Sequence, residues 1–170
     1  MEILKKKSGF TLIELMVVVA IMGILSTVAI VNYASIGKKS TVTMAAQNLA
    51  SDIRRVQSFA LNGKIADSNR GRWGVYFDLA SSSNYIIFAD KDLNNLRASS
   101  EDYEVVNLPK NVKIKNVDPG PASTVVYIPP DPKILISSST ISTSTVTLSD
   151  PEGNNERKIE FNIFGLVDIE

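Results

Sequence analysis

Glu14 is the residue whose type and setting ask for chemistry first. It is the single charge between Phe10 and Val31, a run in which Thr11, Ser26 and Thr27 are the other polar side chains. A carboxylate at helix-centre depth in a bilayer costs about 2.5–3.5 kcal/mol on insertion scales, so it needs a partner. The run supplies no cation. A cut after Gly9 would create one, because Phe10 would then carry a free amine one helical turn before Glu14. Glu14 would also stand in the first turn of the helix, where the dipole favours negative charge. The new terminus of an adjacent copy would serve equally well, so a single residue encodes a means of assembly.

A second constellation has the spacing of a cation loop. Asp90-Lys-Asp-Leu-Asn-Asn-Leu-Arg-Ala-Ser-Ser-Glu101 places Asp90, Asp92, Asn94 and Glu101 at loop positions 1, 3, 5 and 12, with the carbonyl of Leu96 at position 7. Calcium is the ion this pattern would hold, and its part would be to shape the loop. Three features pull the other way: Asn95 stands where such loops need Gly, Lys91 and Arg97 bring positive charge, and the flanks are strand-like instead of helical. An Asx-rich hairpin loop is the alternative.

Other chemistry is constrained by what the chain lacks. Its 170 residues contain no Cys and no His, with 18 basic and 18 acidic side chains. Disulfide frameworks, thiol nucleophiles, thiolate metal sites and histidine-dependent triads are therefore excluded. Serine-rich stretches without a base are not nucleophile sites, and Gly71 and Gly74 do not make a phosphate loop. An enzyme is not expected. Lys110, Lys113 and Lys115 alternate as a basic strip, and Arg70 and Arg72 flank Trp73, but this is far short of a DNA-binding footprint. Nucleic acid is not an expected partner.

These residues must be positioned by elements that the patterning predicts. Lys5, Lys6 and Lys7 precede the apolar run 10–31, which as a helix reaches about 33 Å, enough to span a bilayer. A removable secretory signal has a shorter apolar core. The positive-inside rule puts the lysines in the cytoplasm and the bulk of the chain outside, with Lys38 and Lys39 weakening the bias. From there Val42, Ala45, Leu49, Ile53, Val56 and Ala60 recur at three- and four-residue spacings, an amphipathic stripe suited to packing on a sheet. One helix is predicted over 10–62, broken or softened between Asn32 and Gly37 and stopped by Asn62-Gly63.

The rest reads as strands: 72–78 and 84–89 as a hairpin, then 104–108, 112–117, 124–128, 133–137, 144–149, 157–163 and 166–169. The Ser/Thr-rich stretch 137–149 is expected to be a strand with one wet face. The predicted class is α+β: a long N-terminal helix, transmembrane in its first half and amphipathic in its second, packed on an antiparallel sheet or sandwich.

Lys-Lys-Lys-Ser-Gly-Phe-Thr-Leu-Ile-Glu-Leu (5–15) and the apolar stretch after it resemble the prepilin leader and first helix of type IV pilins and type II secretion pseudopilins. The resemblance implies a leader peptide over 1–9, cleavage between Gly9 and Phe10 by a prepilin peptidase, and N-methylation of Phe10. It also implies that Glu14 guides docking among other pilin or pseudopilin subunits in a helical filament, built on an inner-membrane assembly platform. The order of parts, ending in a strand-Gly-strand from Phe161 to Ile169, is most similar to GspH/FimT-type minor pseudopilins. The expected organisation is a leader (1–9), a membrane helix in lipid (10–31), its amphipathic continuation (32–62) and a β-rich head (63–170). Localisation follows as the bacterial inner membrane, single-pass with the head outside, and then an extracytoplasmic filament. The alternatives are a DNA-uptake minor pilin, because FimT-like proteins are linked to uptake, and a single-pass anchored binding or hydrolase module.

Overall fold

The structure is a computed structural model whose described residues are 9–66, 72–130, 134–137, 143–162 and 164–170, with the side chains of 28–36 outside that set. Residues 1–8 of the expected leader, Arg70, Gly71 and the start of the Ser/Thr-rich stretch lie outside it as well.

Helix α1 runs from Leu12 to Leu61. Of the expectation that the helix is broken or softened between Asn32 and Gly37, the break is corrected, since the backbone is helical across these residues. Asn, Ser and Gly cost at most about 1 kcal/mol each against Ala, which continuous hydrogen bonding on both sides overcomes. The stop at Asn62-Gly63 is as expected. Gly63 takes a φ of 61°, and the Lys64 N–H reaches back to the Phe59 carbonyl at 2.9 Å, so the last turn closes in a left-handed cap.

The chain divides into two compact units, one ending at Gly37 and the other formed by Lys38–Glu170. In the first, the described side chains are exposed all round the helix, from Phe10 (86%) and Leu12 (76%) to Leu25 (64%). Among the described residues no helix is long and apolar enough to cross a membrane; the described side chains of this stretch end at Thr27.

The second unit is the head. Its α1 residues Val42, Ala45, Leu49, Ile53, Val56 and Ala60 are all buried, the same six that the spacing selects. They pack into one core with two antiparallel sheets. The strands are β1 (Arg72–Asp78), β2 (Asn84–Asp90), β3 (Asp102–Asn107), β4 (Lys113–Asp118), β5 (Ala122–Tyr127), β6 (Ile134–Ile136), β7 (Thr143–Ser149), β8 (Glu156–Asn162) and β9 (Val167–Ile169). One sheet has the order β3-β2-β1-β5-β6 and the other β4-β7-β8-β9. Phe77 of β1 stacks on Phe161 of β8 at 5.9 Å between ring centroids, joining the sheets through the core.

Two local findings explain the packing. Gly74 has no room for a side chain, because an added Cβ would lie 2.7 Å from the Phe88 ring and 2.8 Å from the Val125 carbonyl oxygen. Strand β7 departs from expectation. It lies between β4 and β8, and Ser144, Thr147 and Ser149 are buried along with Val146 and Leu148, so the predicted wet face is covered. Alternation marks which residues share a face, but whether a face is wet depends on what packs over it and on the side chains of the strands on either side.

Candidate functional site

The N-terminal site is built on the start of α1. Thr11 precedes the first helical residue, and Thr11-Leu12-Ile13-Glu14 is a capping box. The Glu14 backbone N–H donates to Thr11 Oγ1 at 3.3 Å, and Glu14 Oε2 accepts from the Thr11 N–H and from its hydroxyl, both at 2.8 Å. Thr11 therefore satisfies one carboxylate oxygen, and Oε1 remains for a further donor. Gly9 and Phe10 are exposed just outside the helix, so the expected cut lies outside regular structure and is accessible. The capping box is the feature of this site beyond those named from the sequence. The signal was present as Thr three residues before Glu.

The second site is the loop from the end of β2 to the start of β3. Asp90, Asp92 and Glu101 come together, with one carboxylate oxygen of each within 4.8 Å of the others. Asp90 is fully buried and Glu101 nearly so. Backbone amides hold the acids: Asn94 and Asn95 N–H donate to Asp90 at 3.1 and 3.0 Å, and Lys91 and Ala98 N–H donate to Glu101 at 2.7 and 3.0 Å. Asn94 is occupied within the loop, its side-chain amide donating to Asp92 at 2.8 Å and its oxygen accepting from the Leu96 N–H at 2.6 Å. Leu96 is thereby fixed through its N–H.

Burial pushes the Asp90 carboxyl above its ordinary range, the Asn95 amide draws it back, and the nearby Asp92 and Glu101 push it further up. A proton or a cation would relieve this crowding. The two positive charges that counted against calcium are partly turned elsewhere. Arg97 pairs with Asp102 at 2.6 Å and lies 5.0 Å from the Tyr76 ring centroid, while Lys91 Nζ reaches the Ser100 carbonyl at 3.5 Å. Asn95 adopts the left-handed φ of 64° that a Gly would take freely, and Leu93 does so at 62°. Arg72 braces both, donating to the Leu93 carbonyl at 3.2 Å and to Asn95 Oδ1. This function of Arg72 was missed, since a residue far away in sequence gives no local signal of the loop it will meet.

The basic strip is broken up. Lys113 Nζ donates to the Pro151 carbonyl at 3.3 Å, Lys115 pairs with Glu156, and a bulge between Ile114 and Asn116 interrupts the alternation.

A long helix that begins in an exposed apolar stretch and ends packed on antiparallel sheets defines an α+β protein of the pilin-like class. The comparisons agree with this class. Residues 4–30 match the prokaryotic N-terminal methylation motif. A "Fimbrial protein" of Pseudomonas aeruginosa is 33% identical over 84 residues, 49% of this chain and 54% of that protein. The "Type IV major fimbrial protein FimA" of Dichelobacter nodosus is 42% identical over 61 residues, covering 36% and 38% of the two chains. A "Probable minor fimbrial protein" of the same organism is 52% identical over 40 residues, 24% of this chain and 25% of that one. The chain spans about half the length, or less, of these curated relatives. No solved structure matches it. The N-terminal region is that of the type IV pilin-like superfamily.

Proposed function

We propose that this chain is a structural subunit of a type IV pilus or type II secretion pseudopilus, in a minor position of the GspH/FimT type. The observation that carries the proposal is a helix start with apolar side chains exposed on every face and a capped glutamate among them. A helix of that kind is stable only where lipid or other helices cover it. Residues 1–9 are a leader removed by a prepilin peptidase, residues 10–31 stand in the inner membrane with the head outside, and Phe10 is N-methylated after cleavage. Once cut, the Phe10 amine of this or a neighbouring copy takes Glu14 Oε1, while Thr11 keeps Oε2. The helices then pack together on the assembly platform, and the heads decorate the filament. The function is structural and not catalytic.

Within this proposal the Asp90–Glu101 loop holds calcium through Asp90, Asp92 and Glu101, with the Leu96 carbonyl and the Asn94 side chain completing the shell once Asn94 gives up its bonds to Asp92 and the Leu96 N–H. The ion's charge offsets three crowded carboxylates and fixes the loop beside the edge strand β3.

The test is filament incorporation. Glu14→Ala should insert and be cleaved normally yet enter filaments poorly, and wild-type filament yield from this variant would remove the pairing. An anchored binding or hydrolase module would keep residues 1–9 and not assemble. A DNA-uptake pilin would be retained by DNA at physiological salt and released by charge reversal at Lys113 and Lys115.

A further inference from the structure

The turn between β8 and β9 projects two large apolar side chains, Phe164 and Leu166, which are 63% and 66% exposed. It is not a loose tip. Asn162 Oδ1 accepts from the Phe164 and Leu166 N–H groups at 3.0 and 3.1 Å, and the Asn162 N–H donates to the Leu166 carbonyl at 3.2 Å. Beside it Glu160, Asp168 and Glu170 border a recess of about 470 Å³, and none of the three has an ion-pair partner among the described residues. Asp168 accepts the Ile169 N–H at 2.8 Å. Two cations stand near: Lys158 lies opposite Glu170 in the ladder without an ion pair to it, and Arg54 is turned to the Val167 carbonyl at 3.4 Å. The turn is therefore a projecting aromatic tip flanked by unpaired carboxylates.

The start of β8 has the opposite character. A recess of about 250 Å³ is lined there by Lys39 and Val42 of α1 and by Asn154, Asn155, Glu156 and Arg157. Of its charges, Glu156 is paired with Lys115, whereas Lys39 and Arg157 have no ion-pair partner among the described residues. Arg157 donates to the Glu156 carbonyl at 2.9 Å. The acids next to the recess are engaged as well, Glu152 by Lys38 at 2.7 Å and Asp150 by the Asn154 N–H and the Asn155 side chain, each at 2.8 Å. Two cations are thus left over in a concave surface. A guanidinium and an ammonium pair with carboxylates and also lie well on an aromatic face. The β8–β9 tip offers both.

Strand β8 is seven residues long, so tip and recess stand about 20 Å apart, at opposite ends of one strand. A single head cannot bring them together. Charge sign and shape match between copies instead, and a contact between two different surfaces of one chain is heterologous, the kind that can repeat without closing. We propose that the β8–β9 turn of one copy docks in the recess at the start of β8 of a second copy. Phe164 then lies against Lys39 and Arg157, and Glu160, Asp168 and Glu170 neutralise these cations. The inference rests on the reading of this chain as a filament subunit, to which it adds the contact between heads.

The chain contains no cysteine, so single-cysteine variants report one contact each. Full-length Asn154→Cys and Leu166→Cys chains, recovered from membranes that contain a prepilin peptidase, are mixed in uncharged detergent micelles, oxidised mildly and weighed as disulfide-linked pairs. Mixed pairs should exceed like pairs about tenfold. Glu160→Lys with Asp168→Lys in the Leu166→Cys chain should abolish the excess, and Lys39→Glu with Arg157→Glu in the Asn154→Cys chain should restore it. Should a double reversal fail to fold, Lys39→Glu alone, at an exposed position, should still lower the excess severalfold. Like pairs as abundant as mixed ones, no linked pairs, or an excess indifferent to charge reversal would each overturn the proposal. The same masses show whether residues 1–9 have been removed, so failure of the filament reading is seen apart from failure of the head contact.

Discussion

The two portions of α1 are both apolar and both helical, yet they solve different problems. From Phe10 to Leu25 apolar side chains cover every face and stay exposed within the chain, whereas from Val42 to Ala60 they form a stripe and are buried against the sheets. The stripe finds its partner inside the same molecule. The all-round apolar surface of the first portion has no such partner among the described residues, which supports the proposal that lipid or another helix covers it. Under that proposal, periodicity distinguishes a helix that completes a fold from one that completes an assembly.

The comparison breaks most directly on a pair of matched substitutions. Ile53→Ala, deep in the core, should lower head stability by about 2–5 kcal/mol in a denaturation experiment. Ile21→Ala, the same change at an exposed position of the first portion, should alter it by less than about 0.5 kcal/mol. Equal losses would mean that the first portion also belongs to the folding core.

Calcium sharpens the contrast from the head's side. A site on the head should raise its melting temperature and leave the first portion untouched. At a hundredfold excess over the dissociation constant the gain is about 2.7 kcal/mol, and an unchanged melt in millimolar calcium would remove the site. The pH dependence has a definite sign. Because burial raises the Asp90 carboxyl in the folded state, the ion-free head gains from its proton at low pH and loses that gain as pH rises through the raised value. Calcium competes with that proton, so its stabilisation should shrink as pH falls through the same range.

The smallest effect belongs to the cap. Thr11→Ala removes the hydroxyl, which donates to Glu14 Oε2 and accepts from the Glu14 N–H, and leaves the residue-11 backbone N–H as the remaining donor to Oε2. It should cost about 0.5–2 kcal/mol locally, seen as faster amide exchange at residues 12–15 with the head melt unchanged. Exchange equal to wild type would show that the cap does not order this end.

The local half of the fold was legible in the residues. Strand expectations such as 104–108, 124–128 and 144–149 fall within two residues of β3, β5 and β7, because β-branched runs end at Pro109, at Pro129-Pro130 and at Asp150. The expected strand 157–163 matches β8 up to Asn162, and residue 163 lies outside the described set. The order β3-β2-β1-β5-β6 was not legible, since pairing β1 with β5 brings Trp73 opposite Tyr127 across the intervening β2, β3 and β4, the last of which joins the other sheet. The wet face expected of β7 failed for the same reason: its neighbours decide its burial. At the sites, the acidic residues were legible from spacing, but the brace from Arg72 and the engagement of Lys113 and Lys115 depend on distant partners.

The central claim is that Glu14 is matched to an amine made by cleavage after Gly9. Mass spectrometry of the full chain recovered from membranes that contain a prepilin peptidase tests it directly. The account predicts a mature protein beginning at N-methylated Phe10, and a chain that still begins at Met1 under those conditions would contradict it.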